Sequence, residues 1–468
     1  MPLKKPLPFF QIILINFYAF IIAIASIYLL LLNKSIQTEQ PILKVANSYS
    51  NELGISLIDP SISLVKNAPR IIPNLTSGRT LLIDSIKKDF NLTPEYYCSK
   101  NNVKNIIACL RFSPTVANIN KALKVGLSFN TSPANLNGNA GNSWILALLI
   151  DQLTPIIDDV QQNQLAKIKA KISKALNNHL VLLDGDSASL WHGRFSLAAN
   201  AFILATIVGN EEPIALDRAN NHFLDAVLAL EITEAWPNGY NYWINNRAFP
   251  FLLASSAYIN GTQGKEKQRV LDLLERIGLW HIYMTRPDNR IASIGDDGPR
   301  VDLKDESRKV IDFITYLTQN PIFATYSEYL KQLHGNESYY RGYRWMPALF
   351  YDPTVKGVGE NFDDLSVFNG LLPTTEIFGK DAYNQVVMRS GWGRDDSFIQ
   401  IRGGANFSHH QHYDAGHFTV FYKKPIIVDA AVYSDNYFKP SRLNFSLRSV
   451  SKNILLLPMS GESVNPNR

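Results

Sequence analysis

The chain has 468 residues, 46% of them hydrophobic and 19% charged, which is the make-up of a globular protein and excludes disordered and low-complexity classes. At roughly 100–200 residues per domain, two or three domains with sizeable buried cores are expected. Lys+Arg 46 against Asp+Glu 41 leaves +5 with no basic run, so no nucleic-acid partner is expected, and two cysteines exclude a disulfide framework or a Cys-rich zinc module.

Lys4 and Lys5 precede an apolar run over 9–32 that is broken only by Gln11, Asn16 and Ser26. A helix of that length extends about 36 Å, enough for a hydrocarbon core of about 30 Å. Ala23-Ile24-Ala25 has the small-x-small form of a signal-peptide cleavage site, but the apolar stretch continues beyond it to Leu32, which favours a retained anchor. Either way the basic flank stays inside and everything after Asn33 is exported. The expectation is a membrane-anchored protein whose body is extracytoplasmic (periplasmic). Cys98 and Cys109 can then form one local disulfide; two buried thiols are the alternative.

Residues 34 to about 140 are polar and punctuated by Asn, Ser and Pro, with short helical pieces. From about 143 to 350 the pattern is persistently helical. Leu165, Ile168, Ile172, Leu176, Leu180 and Leu183 recur at three and four, as do Phe195, Ala198, Phe202 and Ala205, and then Phe223, Val227 and Leu230. Asp184-Gly185-Asp186, Gly209-Asn210, Pro237-Asn238-Gly239 and Asn260-Gly261 break the series into antiparallel hairpins. Past Pro373 the period changes to that of strands, over 385–389, 398–402, 418–422 and 426–428, and Ile399-Gln400-Ile401-Arg402 alternates as in a sheet with one wet face. Helices first and strands second imply an α+β, multidomain chain. Its expected parts are an anchor at 1–33, a helical domain at 34–370 and a strand-rich domain at 371–468.

The densest chemistry is Ser408-His409-His410-Gln411-His412-Tyr413-Asp414-Ala415-Gly416-His417-Phe418, which holds four of the nine histidines. In an extended segment His410, His412 and Asp414 share a face, suiting proton transfer or a divalent metal. Asp429 ends the apolar run 425–428, where a carboxylate needs a partner. In the helical half, His192 follows Trp191 at a helix start. The turn Trp236-Pro237-Asn238-Gly239 leads into Tyr240-Asn241-Tyr242-Trp243, with Asn246 and Arg247 behind it; Arg247 can pair a carboxylate through two parallel hydrogen bonds. Tyrosines at such a helix start are more often packing than chemistry. Ile294-Gly295-Asp296-Asp297-Gly298 reads as a polar turn.

Taken in order, these motifs resemble the heparinase II/III-like family of polysaccharide lyases. The similarity covers about 190–455 and is most specific at His410-x-His412-x-Asp414-x-Gly416-x-Phe418 followed by Asp429. It implies an incomplete (α/α) toroid followed by a short C-terminal antiparallel β-sandwich, and β-elimination on an anionic, uronic-acid-containing polysaccharide. By position, Tyr242 resembles the catalytic tyrosine, His410 the sandwich histidine and His192 the toroid histidine. Asn241, Asn246, Arg247, Tyr240 and Trp243 are the candidate substrate-binding residues. His412 and Asp429 resemble two ligands of a structural zinc. The chain departs from the family at Trp191, where relatives often carry Asn, and at Lys452-Asn453, where they often carry the third ligand in His-Asn. Two other functions remain open: a non-catalytic carbohydrate-binding or assembly factor, and a glycoside hydrolase using carboxylates among Asp296, Asp297 and Glu234.

Overall fold

A computed structural model gives the fold and describes residues 70–72, 79–135, 139–185, 190–297, 301–302, 305–335, 342–380, 382–408, 410–429 and 439–455. The expected anchor at 9–32 lies outside them. Among the described residues no helix is long and apolar enough to cross a membrane.

The helices sort by their patterning. Val103–Phe112, Ser143–Leu153, Phe195–Val208 and Ala248–Gly261 are buried on nearly every face; all of Phe195–Val208 is buried. A helix apolar all round belongs in the interior. Each pairs with a following helix that buries only one stripe: Val116–Ser128, Asp159–Asp184, Pro213–Thr233 and Gly264–Met284. The inner helices pack side by side in chain order, Asp305–Thr318 continues the row with Pro321–His334 outside it, and the short helix Pro347–Phe350 closes the row back onto Val103–Phe112. The described residues thus form a double-layered ring of five helical hairpins. The breakers read from the sequence fall at its corners: Asp159–Asp184 ends at Gly185, and Ala248–Gly261 ends at Gly261.

Cys98 and Cys109 are joined, tying Pro94–Ser99 to the innermost face of Val103–Phe112. The loop is short (sequence separation 11), so chain entropy accounts for about 2–3 kcal/mol. Replacing both cysteines by serine is expected to lower the unfolding free energy by that amount in urea titration; an unchanged midpoint contradicts it.

Beyond the ring, strands β1 (Arg290–Ile291) and β2 (Val301–Asp302) form a small hairpin. Strands β3 (Thr375–Phe378), β4 (Gln385–Arg389), β5 (Ser397–Arg402), β6 (Phe418–Tyr422) and β7 (Lys424–Ile427) form an antiparallel meander in that order. The architecture is α+β. β3 escapes the sequence reading because Thr-Glu-Ile-Phe is short and half polar. β6 and β7 turn on Lys423 alone at positive φ, and the β7 edge carries Lys424 and Pro425, which discourage further pairing.

The sheet departs from expectation in two ways. Where a sandwich was expected, the described residues form a single layer, and its buried side mixes polar with apolar residues. Gln385, Arg389, Gln400 and Arg402 are buried there beside Phe378, Val387, Phe398 and Phe421, whereas Ile399 and Ile401 on the other side are half-buried and Ile377 and Tyr422 are exposed. The alternation in Ile399–Arg402 is real, but its wet side is the apolar one. Specific partners hold the polar members of this buried side: Trp280 Nε1–H donates to Gln385 Oε1 at 2.9 Å, Arg389 donates to the carbonyls of Tyr283 and Thr285, and the Arg402 guanidinium lies 3.8 Å over the Tyr383 ring.

Candidate active site

Three distant segments meet where the ring and the sheet join. The turn before Tyr240 requires Gly239 at φ +125, with Asp297 Oδ1 only 3.0 Å from where a Cβ would stand. Asp297 caps the new helix, accepting N–H groups from Tyr240 (2.8 Å), Asn241 (2.9 Å) and Ile294 (3.3 Å). Burial pushes this carboxyl up to about 6, against the pull of those three donors. Gly295 brings a second segment against the first; a Cβ there would lie 2.7 Å from Asn238 O and 2.9 Å from His410 O. Ser408 Oγ donates to Asn238 Oδ1 at 2.8 Å and locks the third. What reads as a commonplace polar turn is therefore, over 294–297, the joint of the site.

At that joint sits Asp296, whose side chain is fully enclosed. Oδ2 faces His410 Nδ1 at 2.5 Å and Arg442 Nη2 at 2.9 Å; Oδ1 faces His412 Nε2 at 3.0 Å and Arg442 Nη1 at 2.8 Å. Burial alone would raise its pKa, but the hydrogen bonds from His410, His412 and Arg442 outweigh it and hold the group far below the usual carboxylate range. Burial lowers the His410 pKa in turn, more than Asp296 raises it, so a neutral ring with Nδ1–H on Asp296 carries its lone pair on Nε2.

The His410 ring stacks on Tyr242, centroids 4.3 Å apart at 28°. The phenol and the imidazole from opposite halves of the chain do meet. Their surroundings differ: Tyr242 is half-buried and lines a cavity of about 500 Å³, whereas His410 is 2% exposed and stands behind it. The same cavity is lined by Arg247, Asn245, Asn200 and Ser196, with Trp144 and Tyr343 as an aromatic wall. No carboxylate occurs among the described residues lining it. Arg247 is buried, which lowers its pKa to about 10 and leaves it charged at neutral pH. It lies in a one-turn π-helix, Trp243–Arg247, and Arg442 lies in another, Arg442–Ser446; such turns recur at functional sites.

Other sequence candidates fall elsewhere. Tyr240 and Trp243, expected to bind substrate, are core residues instead. Trp243 Nε1–H donates to His281 Nε2 at 2.7 Å, and Tyr240 OH bridges His281 Nδ1 (3.2 Å) and Ser307 Oγ (3.1 Å). Hydrophobic burial and a satisfied hydrogen-bond chain account for both rings. Asn241 is half-buried at the helix cap, and Asp414 turns away from His410 and His412 toward Arg402 Nε (3.6 Å), because 410–417 is a loop rather than an extended strand. The π-helix Leu190–Arg194 contains His192, but the side chains of His192 and Asn246 lie outside the described residues. Trp191 is buried against Phe407. Sequence reasoning missed Arg442, Asn200, Asn245 and the central part of Asp296, which it read only as one of two carboxylates in a turn and as a hydrolase candidate.

His281 makes a separate prediction. Burial lowers its pKa to about 3, so the folded chain keeps it neutral while the unfolded chain takes up a proton near pH 6.5. Its contribution to stability is complete above pH 6.5 and declines as pH falls toward 3, at about 1.4 kcal/mol per pKa unit. His281→Gln, which keeps an acceptor for Trp243, is expected to flatten the dependence of the urea midpoint between pH 7 and 4. An unaltered slope rules this out.

A metal requires convergent lone pairs. His412 has committed Nε2 to Asp296, and its Nδ1 accepts from Lys452 Nζ at 2.9 Å. Both Asp429 oxygens accept from the same Nζ, at 3.0 and 2.7 Å. Among the described residues no group of three His, Cys, Asp or Glu side chains is disposed to hold a metal ion. The pair expected as zinc ligands, His412 and Asp429, instead surrounds the Lys452 ammonium, and the residues present do not fit a zinc site.

No protein-family model matches the chain, and no curated protein does. Solved structures do. A heparinase III crystal structure is 12% identical, covering 75% of this chain and 53% of that one, with a TM-score of 0.40. Another heparinase III structure is 11% identical, covering 88% and 66%, with a TM-score of 0.41. A heparan sulfate lyase from Pedobacter heparinus is 11% identical, covering 85% and 62%, with a TM-score of 0.36. The chain spans between about half and two-thirds of the length of these structures. Each of these structures is a heparinase III or a heparan sulfate lyase.

Proposed function

We propose that the protein is an exported polysaccharide lyase that cleaves an anionic, uronic-acid-containing polymer by β-elimination, in exopolysaccharide processing. On this reading the helical ring is the incomplete (α/α) toroid of that family, the strand-rich part is its sandwich-like domain, and 9–32 is a membrane anchor. The disulfide Cys98–Cys109 supports an oxidising compartment outside the cytoplasm. The observation that carries the activity is Tyr242 on the wall of a cavity that also holds Arg247, with its ring stacked on the buried His410 behind it.

Elimination removes the C5 proton beside the uronate carboxylate, breaks the C4–O4 bond and leaves a C4–C5 double bond. A cation on the carboxylate lets the developing enolate-like charge form, and Arg247 is that cation, with Asn200 and Asn245 as further donors. The family resemblance adds His192 to the carboxylate side, and Asn241 and Asn246, read from the sequence beside Arg247, are further candidates there. Tyr242 handles the protons at the sugar. Neutral His410 takes the phenolic proton, the phenolate takes the C5 proton, and the re-formed phenol gives it to O4. The proton held by His410 then returns to Tyr242, so the pair ends as it began.

Hydrolysis would need two carboxylates about 5–10 Å apart at the cavity. Asp296 and Asp297 are committed as described, and Glu234 is held by Arg276 at 2.9 and 3.0 Å. Incubating the protein with a panel of uronate polymers is expected to raise the ultraviolet absorbance of the conjugated double bond. New reducing ends without that absorbance, or no product from a folded protein on any uronate polymer, overturn the proposal.

A further inference from the structure

The loop at 449–453 follows a short 3-10 turn, Ser449–Ser451, and delivers Lys452 into the interior, with its side chain fully enclosed. Its three acceptors, His412 Nδ1 and the two oxygens of Asp429, match the three N–H bonds of an ammonium. Because Nδ1 of His412 accepts, its Nε2 carries the proton and donates to Asp296 Oδ1, which is the contact observed at 3.0 Å. Asp296 in turn holds His410. Among the described residues the cluster therefore balances two carboxylates, Asp296 and Asp429, against two cations, Arg442 and Lys452, around the imidazoles of His410, His412 and His417. A divalent ion added to this set would find its place occupied and its charge uncompensated.

We propose that Lys452 is a built-in structural cation that replaces a divalent metal at this position. Its ammonium joins Asp429 to His412 and fixes the tautomer through which His412 holds Asp296. The chain thereby keeps the site assembled without depending on metal supply. The geometry also shows how the replacement can be reversed. A metal about 2 Å beyond the Nε2 of a histidine lies about as far from the backbone as a lysine ammonium does. His412 Nδ1 and Asp429 would then be two ligands already in place, and His417 Nε2, 3.9 Å from Asp429 Oδ2, stands beside them.

The test reads metal content and thermal stability of the protein, so its outcome is separate from whether the cavity cleaves a uronate. Purified wild-type protein given excess zinc and then desalted is expected to retain less than about a tenth of an equivalent per chain, and EDTA is expected to leave its melting temperature unchanged. Lys452→His is expected to retain about one equivalent and to melt higher with zinc than with EDTA, whereas Lys452→Met is expected to melt lower than wild type and ignore zinc. Stoichiometric zinc in the wild type, or a melting temperature that EDTA lowers, overturns the proposal without recourse to a variant. A folded Lys452→His protein with no zinc uptake overturns the geometric part.

Discussion

Replacing Tyr242 by Phe is expected to lower the rate of unsaturated-product formation by about 10²–10⁴-fold while leaving the fold intact. That is the range by which a positioned acid–base group accelerates a reaction. The substitution removes one hydroxyl from a half-buried ring at the cavity wall, and the ring that stacks on His410 remains. A change of that kind leaves the unfolding midpoint close to that of the wild type. Initial rates on the uronate polymer that responds best, measured beside a urea titration of the same preparation, separate the two effects. If the Phe variant keeps activity within a few-fold of wild type, Tyr242 does not handle the proton and the proposed mechanism fails. A polymer-binding role indifferent to both Tyr242→Phe and His410→Ala would instead mark the protein as an assembly factor.

The parts legible in the sequence were those set by local periodicity. The stripe from Leu165 to Leu183 and the all-round apolar Phe195–Val208 announce an outer and an inner helix, because burial on one side or every side leaves a direct trace in spacing. The approach of Tyr242 to His410 was legible only through motif order, since nothing local links residues so far apart. The burial of Tyr240 and Trp243 was legible only as the commoner fate of rings at a helix start, since a run of rings and amides after a turn looks the same whether it faces a sugar or His281. The buried polar residues of the sheet misled for a related reason. Alternation fixes that Gln400 and Arg402 share a side, but which side is buried depends on partners such as Tyr383 and Trp280 that only the tertiary fold supplies. Arg442 was invisible because it reaches Asp296 across 146 positions from an Asn- and Ser-rich stretch without pattern.

Asp296→Ala is expected to destabilise the fold by at least about 3–5 kcal/mol, the cost of stranding a buried charge. The reasoning is one of numbers of donors. Asp296 receives two hydrogen bonds from Arg442 and one each from His410 and His412, and Arg442 is itself only 3% exposed. Without the carboxylate, the guanidinium keeps its desolvation cost and loses the group that offset it. Removing both partners should therefore be milder than removing one, and Asp296→Ala combined with Arg442→Leu is expected to recover about 1–3 kcal/mol relative to Asp296→Ala alone. Asp297→Ala serves as a contrast, since it deletes backbone caps at Tyr240 and Asn241 but strands no cation, and a cost of about 1–2 kcal/mol is expected. Urea titrations of the four proteins at pH 7 give all of these differences. A loss below about 1 kcal/mol for Asp296→Ala, or a double variant no more stable than the single one, would mean that Asp296 does not hold the two halves together. His410 would then owe its place behind Tyr242 to packing alone.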